Sequence, residues 1–408
     1  MIKKIVFALI ICSGVSILTD AGAILYAQKI DRSDISVFGR NHFGRILQVS
    51  DERLNDWYMA YDVAVGFDTD PSDSCQFAQT YGYPVLGVGI SVSQLSKMAF
   101  ALPSFYTDLY TVYGSFDRTL VNRDKWRWGY MLEAGITTNP GSYDPLENPY
   151  NRLQSSPVMA YFGAGFFWEY LLGKHWSVGL ETMYRHQSNG RLSLPNSGID
   201  VVGVGAYARY HIKENRYPEI NYPSSYEYER GFQWHIYAGG GYHSCNTEWK
   251  AFNEMVEDPA LKRVHFDKHP VFSIGADCLY RYHLKYATGI GVDLNYLSNM
   301  KSLKECDRII YGEEAATTAE YSSISVGIGL VHEFFWRNLA GHLTVGAYPY
   351  LKTGLGKDIQ WNYQKAGLRY YFPKANDMFV GFVIKASSFV ADHFELSVGL
   401  RMQHKSVR

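Results

Sequence analysis

Apolar and polar residues alternate along most of this chain with a period of two, the spacing at which successive β-strand side chains fall on opposite faces. One run places Trp176, Val178, Leu180, Thr182 and Tyr184 on one face and His175, Ser177, Gly179, Glu181, Met183 and Arg185 on the other. A second sets Asp200, Val202, Val204, Ala206, Ala208 and Tyr210 against Val201, Gly203, Gly205, Tyr207, Arg209 and His211. The pattern predicts eight strands at about 40–49, 55–67, 82–94, 107–118, 125–138, 156–171, 174–187 and 199–212. After a polar connection from His211 to Arg230, eight more follow at about 231–244, 269–283, 286–298, 319–335, 339–352, 361–373, 376–388 and 392–404. Residues Phe38 to Ser50 alternate poorly and count as a strand partly because a barrel of this kind wants an even number.

Loop lengths add an orientation. The links at 171–174, 284–286, 336–338 and 373–376 are tight, whereas those at 138–155, 244–268 and 299–318 are long. Short turns belong on the periplasmic side and long loops outside, which places the Asn189 to Ser197 loop outside and the long Asp68 to Thr80 link in the periplasm. The fold expected is all-β: an antiparallel transmembrane β-barrel of about 16 strands, built either as two tandem eight-stranded barrels or as one wide barrel.

The N-terminus sharpens the compartment. Lys3 and Lys4 precede an apolar run from Ile5 to Leu18, with small-residue cleavage options at Ala21 to Ala23 and Tyr26 to Ala27. This reads as a signal peptide over 1–27, followed by a first barrel half at 28–213, a linker at 214–230 and a second half at 231–408, a candidate decayed duplicate. Ile11 before Cys12 is too large for a lipoprotein processing site, and no later stretch approaches the roughly 20 apolar residues of a spanning helix. The 33 Tyr and 37 Gly suit a barrel with aromatic girdles, where Trp126, Trp128, Trp168, Trp176 and Trp234 would sit. A net charge of −1 without long basic runs gives no support for a nucleic-acid partner. Of Cys75, Cys245, Cys278 and Cys306, the pair Cys245 and Cys306 is the preferred disulfide, since both fall in predicted surface loops of an exported chain. No pair has metal-site spacing, and His243 and His265 flank a loop with Glu254, Glu257 and Asp258 too irregularly for a metal centre.

The chemistry concentrates on one hairpin. In Tyr184-Arg185-His186-Gln187-Ser188-Asn189-Gly190, His186 and Ser188 share a strand face, and a turn near Ser193 would set Asp200 opposite His186. A serine hydroxyl becomes nucleophilic when imidazole takes its proton, and imidazole works best when a carboxylate fixes its tautomer. Asn189 would hold the oxyanion through its side-chain or backbone N–H, and Gly190 would let a carbonyl approach. All three groups end a lipid-facing stripe, which suits hydrolysis of an acyl ester in a membrane lipid and requires no metal or organic cofactor.

The His-x-Ser-Asn-Gly run, the Pro195-Asn196-x-Gly198 that follows and an acidic residue twelve positions after the serine resemble the lipid A 3-O-deacylase family of outer-membrane β-barrels, the acyloxyacyl hydrolases. The resemblance spans Tyr184 to Tyr210. It implies His186 as general base, Ser188 as nucleophile, Asp200 as acidic member in place of the glutamate of several members, Asn189 at the oxyanion site, and Asn196 and Gly198 as loop-shaping residues. It also implies a lipid A or other outer-leaflet lipid substrate in the bacterial outer membrane, and leaves open whether the chain forms a homodimer. Two alternatives stand beside it: an outer-membrane phospholipase A, whose triad closes with an amide residue rather than Asp200, and a non-enzymatic porin or binding barrel. In the second half, Lys385 and Ser387 loosely echo His186 and Ser188.

Overall fold

The structure is a computed structural model that describes residues 35–47, 57–69, 76–95, 108–149, 151–214, 220, 222 and 225–403. The expected signal peptide, Cys12 and Cys75 lie outside the described residues. The chain divides into two compact units. The first comprises Met1–Gly141, Pro157–Gln187 and Gly198–Pro223; the second comprises Ser142–Ser156, Ser188–Ser197 and Ser224–Arg408.

One closed antiparallel sheet runs through β1 (Ile35–Leu47), β2 (Trp57–Asp68), β3 (Val85–Gln94), β4 (Leu109–Asn122), β5 (Trp126–Thr138), β6 (Val158–Leu171), β7 (Trp176–Ser188) and β8 (Ile199–His211). A second runs through β9 (Gly231–His243), β10 (His269–His283), β11 (Tyr286–Leu297), β12 (Ile324–Trp336), β13 (Leu339–Tyr350), β14 (Asn362–Phe372), β15 (Met378–Ser387) and β16 (Val390–Gln403). Pairing of β1 with β8 and of β9 with β16 closes them. Tandem eight-stranded barrels, not one wide barrel, are therefore what the chain forms.

Each barrel is apolar outside and polar inside, the reverse of a soluble core. Val63, Ile90, Phe166, Leu180 and Val204 are exposed on the first, and Ile236, Ile274, Ile290, Leu330 and Leu396 on the second. Trp128 pairs across strands with Trp168, and Trp176 with Tyr210, all exposed, as girdle aromatics are. Inside the first barrel Arg185 Nη2 lies 2.5 Å from Asp62 Oδ2, Arg40 Nη2 lies 2.5 Å from Glu133 Oε1, and His42 touches both Asp62 and Glu181 at 3.2 Å. Inside the second, Arg369 Nη1 reaches Asp277 at 2.9 Å and Glu333 at 3.0 Å, and Lys365 reaches Asp293 at 2.7 Å. Eight strands enclose only enough space for side chains, and these fill it.

The inward charges explain the weak alternation at the start of the chain. β1 begins at Ile35, five residues before the predicted boundary, and turns Ser36, Phe38, Arg40 and His42 inward while Val37, Asn41 and Phe43 face out. Polarity therefore appears on both faces, although the geometric alternation is complete.

The proposed disulfide is not formed: Cys245 and Cys306 are buried free thiols. Cys245 packs with Val271, Leu297, Met300 and Leu303, while Cys306 sits on α1 (Met300–Tyr311). Burial pushes the Cys306 thiol up to about 11, which keeps it protonated. The echo in the second half also fails to make a site, because Lys385 and Ser387 face the lumen. Lys385 donates to Asn295 Oδ1 at 2.8 Å, and Ser387 Oγ accepts from the Gln360 N–H at 2.5 Å.

Two outcomes follow from the filled interiors. Replacing Arg185 with Ala removes the nearest counter-charge of Asp62 and is expected to lower stability by about 3–5 kcal/mol, read from urea unfolding in vesicles. Liposomes carrying the wild type are expected to pass small sugars no faster than protein-free liposomes, read from swelling rates.

Candidate active site

The antiparallel register of β7 and β8 pairs His186 with Asp200 and Tyr184 with Val202. Directly opposed residues bring their side chains into contact, and His186 Nδ1 lies 2.7 Å from Asp200 Oδ1. Tyr184 OH donates to the same carboxylate oxygen at 2.5 Å. A carboxylate that accepts from Nδ1–H fixes the tautomer and leaves Nε2 with its lone pair. The outer-face alternation of β7 carries Tyr184 and His186 outward, and the His186 side chain is 32% exposed against 12% for Asp200. The imidazole is therefore open to a group approaching along the barrel wall.

Ser188 ends β7 and is buried. Its Oγ accepts from Asn196 Nδ2 at 2.9 Å and from the Gly190 N–H at 3.2 Å. Of the three expected triad members, His186 and Asp200 are hydrogen-bonded to each other, and the Ser188 hydroxyl is held by the loop that follows it. Asn189 spends its side-chain amide on Ser155 Oγ at 3.2 Å and the Ser193 carbonyl at 3.1 Å. Its backbone N–H, 3.4 Å from Asn196 Oδ1, is the donor left weakly engaged. Asn196, expected only to shape the loop, thus touches both the hydroxyl and the residue after it.

The loop backbone is unusual. Gly190 and Arg191 both adopt the left-handed conformation, with φ of +59° and +65°. Glycine does so freely, whereas for Arg191 it costs on the order of 1–3 kcal/mol. At Gly190 a Cβ would strike the Phe394 ring, so the close approach this glycine permits is to that ring. Arg191 is buried, with Nη2 2.5 Å from Asp358 Oδ1 and Nη1 3.7 Å from Asp392 Oδ1. Burial opposes its charge, but Asp358 and then Asp392 outweigh that and hold the guanidinium above its ordinary range. Gly198, at φ +72°, returns the chain to β8.

Sequence reasoning missed two partners. Tyr184 read only as a member of the apolar stripe, although its position two residues before His186 put it on the same face. Arg191 carried no local signal, because its partner Asp358 lies 167 residues away. The acidic loop behaves as solvated surface: Glu254, Glu257, Asp258 and His265 are exposed, and His243 is buried against Asp392 at 3.0 Å.

Residues 232–405 match the family model described as "Acyloxyacyl hydrolase, C-terminal domain". The match covers the second barrel, and the hairpin of β7 and β8 lies outside it. No curated protein matches the chain. Among solved structures it is similar to Neisserial surface protein A at 14% identity over 44% of this chain and 97% of the other, with a TM-score of 0.28. An outer-membrane channel from Pseudomonas putida F1 aligns at 8% identity over 91% and 97%, with a TM-score of 0.21. At such scores neither carries a functional inference.

The contact from base to carboxylate generates a graded expectation. With a fluorophosphonate probe, Asp200→Asn is expected to slow labelling of Ser188 by about 10⁴, because an amide favours the wrong imidazole tautomer. Tyr184→Phe removes one bond to a charged group and is expected to slow it about tenfold. Intact-protein mass spectrometry over time measures both.

Proposed function

We propose, from the match of the second barrel to an acyloxyacyl hydrolase domain, that this bacterial outer-membrane protein is a serine esterase. On this reading it removes one ester-linked acyl chain from lipid A. The observation that carries it is the 2.7 Å contact between His186 Nδ1 and Asp200 at the end of an outward-facing apolar stripe. A hydrolase for a soluble ester gains nothing from a base on the lipid side of a barrel; one whose substrate is held in the leaflet needs it there.

In this mechanism Ser188 rotates from Asn196 toward His186, two residues before it. Nε2 takes the hydroxyl proton as Oγ attacks the ester carbonyl. The oxyanion is stabilised by Asn196 Nδ2, freed from the hydroxyl, and by the backbone N–H of Asn189, each donor contributing on the order of 2.7–4 kcal/mol. His186 then gives its proton to the departing sugar oxygen, leaving an acyl-serine. Water, deprotonated by the same imidazole, attacks that ester and releases a free fatty acid and the regenerated serine. Asp200 stays ionised and stabilises the imidazolium through both halves. The Tyr184 hydroxyl holds the carboxylate in line.

The buried charged side chains inside both eight-stranded barrels count against a porin, since a barrel of this size encloses space for side chains rather than a channel. Asp200, where a phospholipase A of the outer membrane would place an amide, counts against that class.

Mass spectrometry of lipid A from membranes carrying the wild type or Ser188→Ala, both verified as folded, tests the proposal. Loss of one acyl mass in the wild type alone is the expected result. Unchanged lipid A with new lysophospholipid would move the substrate to glycerophospholipids, and no lipid change in either sample would overturn the esterase.

A further inference from the structure

The loop from Ser188 to Ser197 belongs to the same compact unit as the second barrel, and its contacts there are built from several directions. Arg191 Nη2 binds Asp358 Oδ1 at 2.5 Å, and its Nη1 donates to the Asp358 backbone carbonyl at 3.3 Å. The Arg191 carbonyl accepts from the Ser244 N–H at 2.9 Å, and the Leu192 carbonyl accepts from Ser244 Oγ at 3.1 Å. Phe394 fills the space where Gly190 lacks a side chain.

The acceptor side is itself held in place. Asp307 on α1 accepts from the Leu355 N–H at 2.8 Å and the Gly356 N–H at 3.1 Å, and Tyr321 OH donates to it at 2.8 Å. Asp358, two residues further on, also accepts from the Asn246 N–H at 3.0 Å. Asp392 is fixed by His243 at 3.0 Å and His393 at 2.9 Å. A left-handed arginine persists only where its surroundings over-determine it, and strain of that kind gathers where a loop is pre-organised for function. Here the strained residue lies three positions after the proposed nucleophile and one after Gly190, whose N–H meets Ser188 Oγ.

We infer that the second barrel positions the nucleophile: Asp358, with Asp392 and Ser244, clamps Arg191, and the clamp sets the backbone of Ser188, Asn189 and Gly190 in the conformation that presents the hydroxyl and the oxyanion donors. Arg191 is a positioning residue, acting through Gly190. The inference rests on the esterase reading for its catalytic consequence, while the clamp has a consequence of its own in loop order. It gives the second half of the chain a task although the echo of His186 and Ser188 there makes no site.

Asp358→Asn in the full-length protein, inserted in vesicles, tests it with two readouts. Deuterium uptake by residues 189–192 is expected to be about tenfold faster, as breaking a buried charge-assisted bond requires, with β9 and β16 unchanged. Release of fatty acid from lipid A is expected to fall about 100-fold in kcat with KM retained, the pattern of a misplaced reacting group rather than lost binding. Ser244→Ala removes one bond without stripping a charge; it is expected to move both readouts the same way by about threefold and serves if Asp358→Asn does not fold. Unchanged loop uptake would overturn the clamp. Faster uptake with wild-type kcat would overturn its positioning role. Faster uptake in a protein whose wild type leaves lipid A intact would sustain the clamp and sink the esterase reading instead.

Discussion

In hydrocarbon no water replaces a missing backbone hydrogen bond, so a sheet that spans a membrane has to meet itself. Closure of β1 on β8 and of β9 on β16 satisfies that demand twice in this chain. Everything else inherits its constraints. A closed sheet of eight strands has a fixed register, so moving one strand by a residue would turn its apolar face inward and its charges into lipid. The same register sets His186 opposite Asp200, so the pairing of the two is a by-product of barrel geometry, with the Tyr184 hydroxyl added to hold the carboxylate.

The two faces of β7 divide the labour. Odd positions such as Glu181 and Arg185 tie the lumen together, while even positions carry the apolar stripe that ends at Tyr184 and His186. Only beyond Gln187 does the chain leave this discipline, and there the order is supplied differently: by left-handed backbone at Gly190 and Arg191 and by the acids and serine that hold them. Strand and loop therefore supply different groups of the proposed site: His186 and Asp200 come from the sheet, Ser188 and Asn196 from the strand end and the turn.

The strands were legible in the sequence because lipid outside and a packed lumen inside impose the same period on every one of them. The dyad was legible for the same reason, since residues two apart on one strand and opposed across a hairpin need only a turn length to be placed. Other features depend on distant partners. Tandem barrels and one wide barrel have the same alternation and differ only in which strand β8 meets, a pairing that the local pattern does not encode. Asn196 looked like turn chemistry because its contact with Ser188 is made across the loop. The Cys245 and Cys306 thiols looked bridgeable because loops were equated with surface, whereas both are buried.

The lumen charges also bear on the order in which such a chain can assemble. Arg369 on β14 neutralises Asp277 on β10 and Glu333 on β12, strands that do not pair with β14, whose neighbours are β13 and β15. A partly built sheet lacking β14 would leave Asp277 and Glu333 without their guanidinium partner, and an unpaired buried carboxylate costs several kcal/mol. Strand-by-strand insertion is thereby disfavoured in the second barrel. The ion pairs of Arg369 thus tie a late strand to two earlier ones, so that the charges of the second barrel are matched only when β10, β12 and β14 are together.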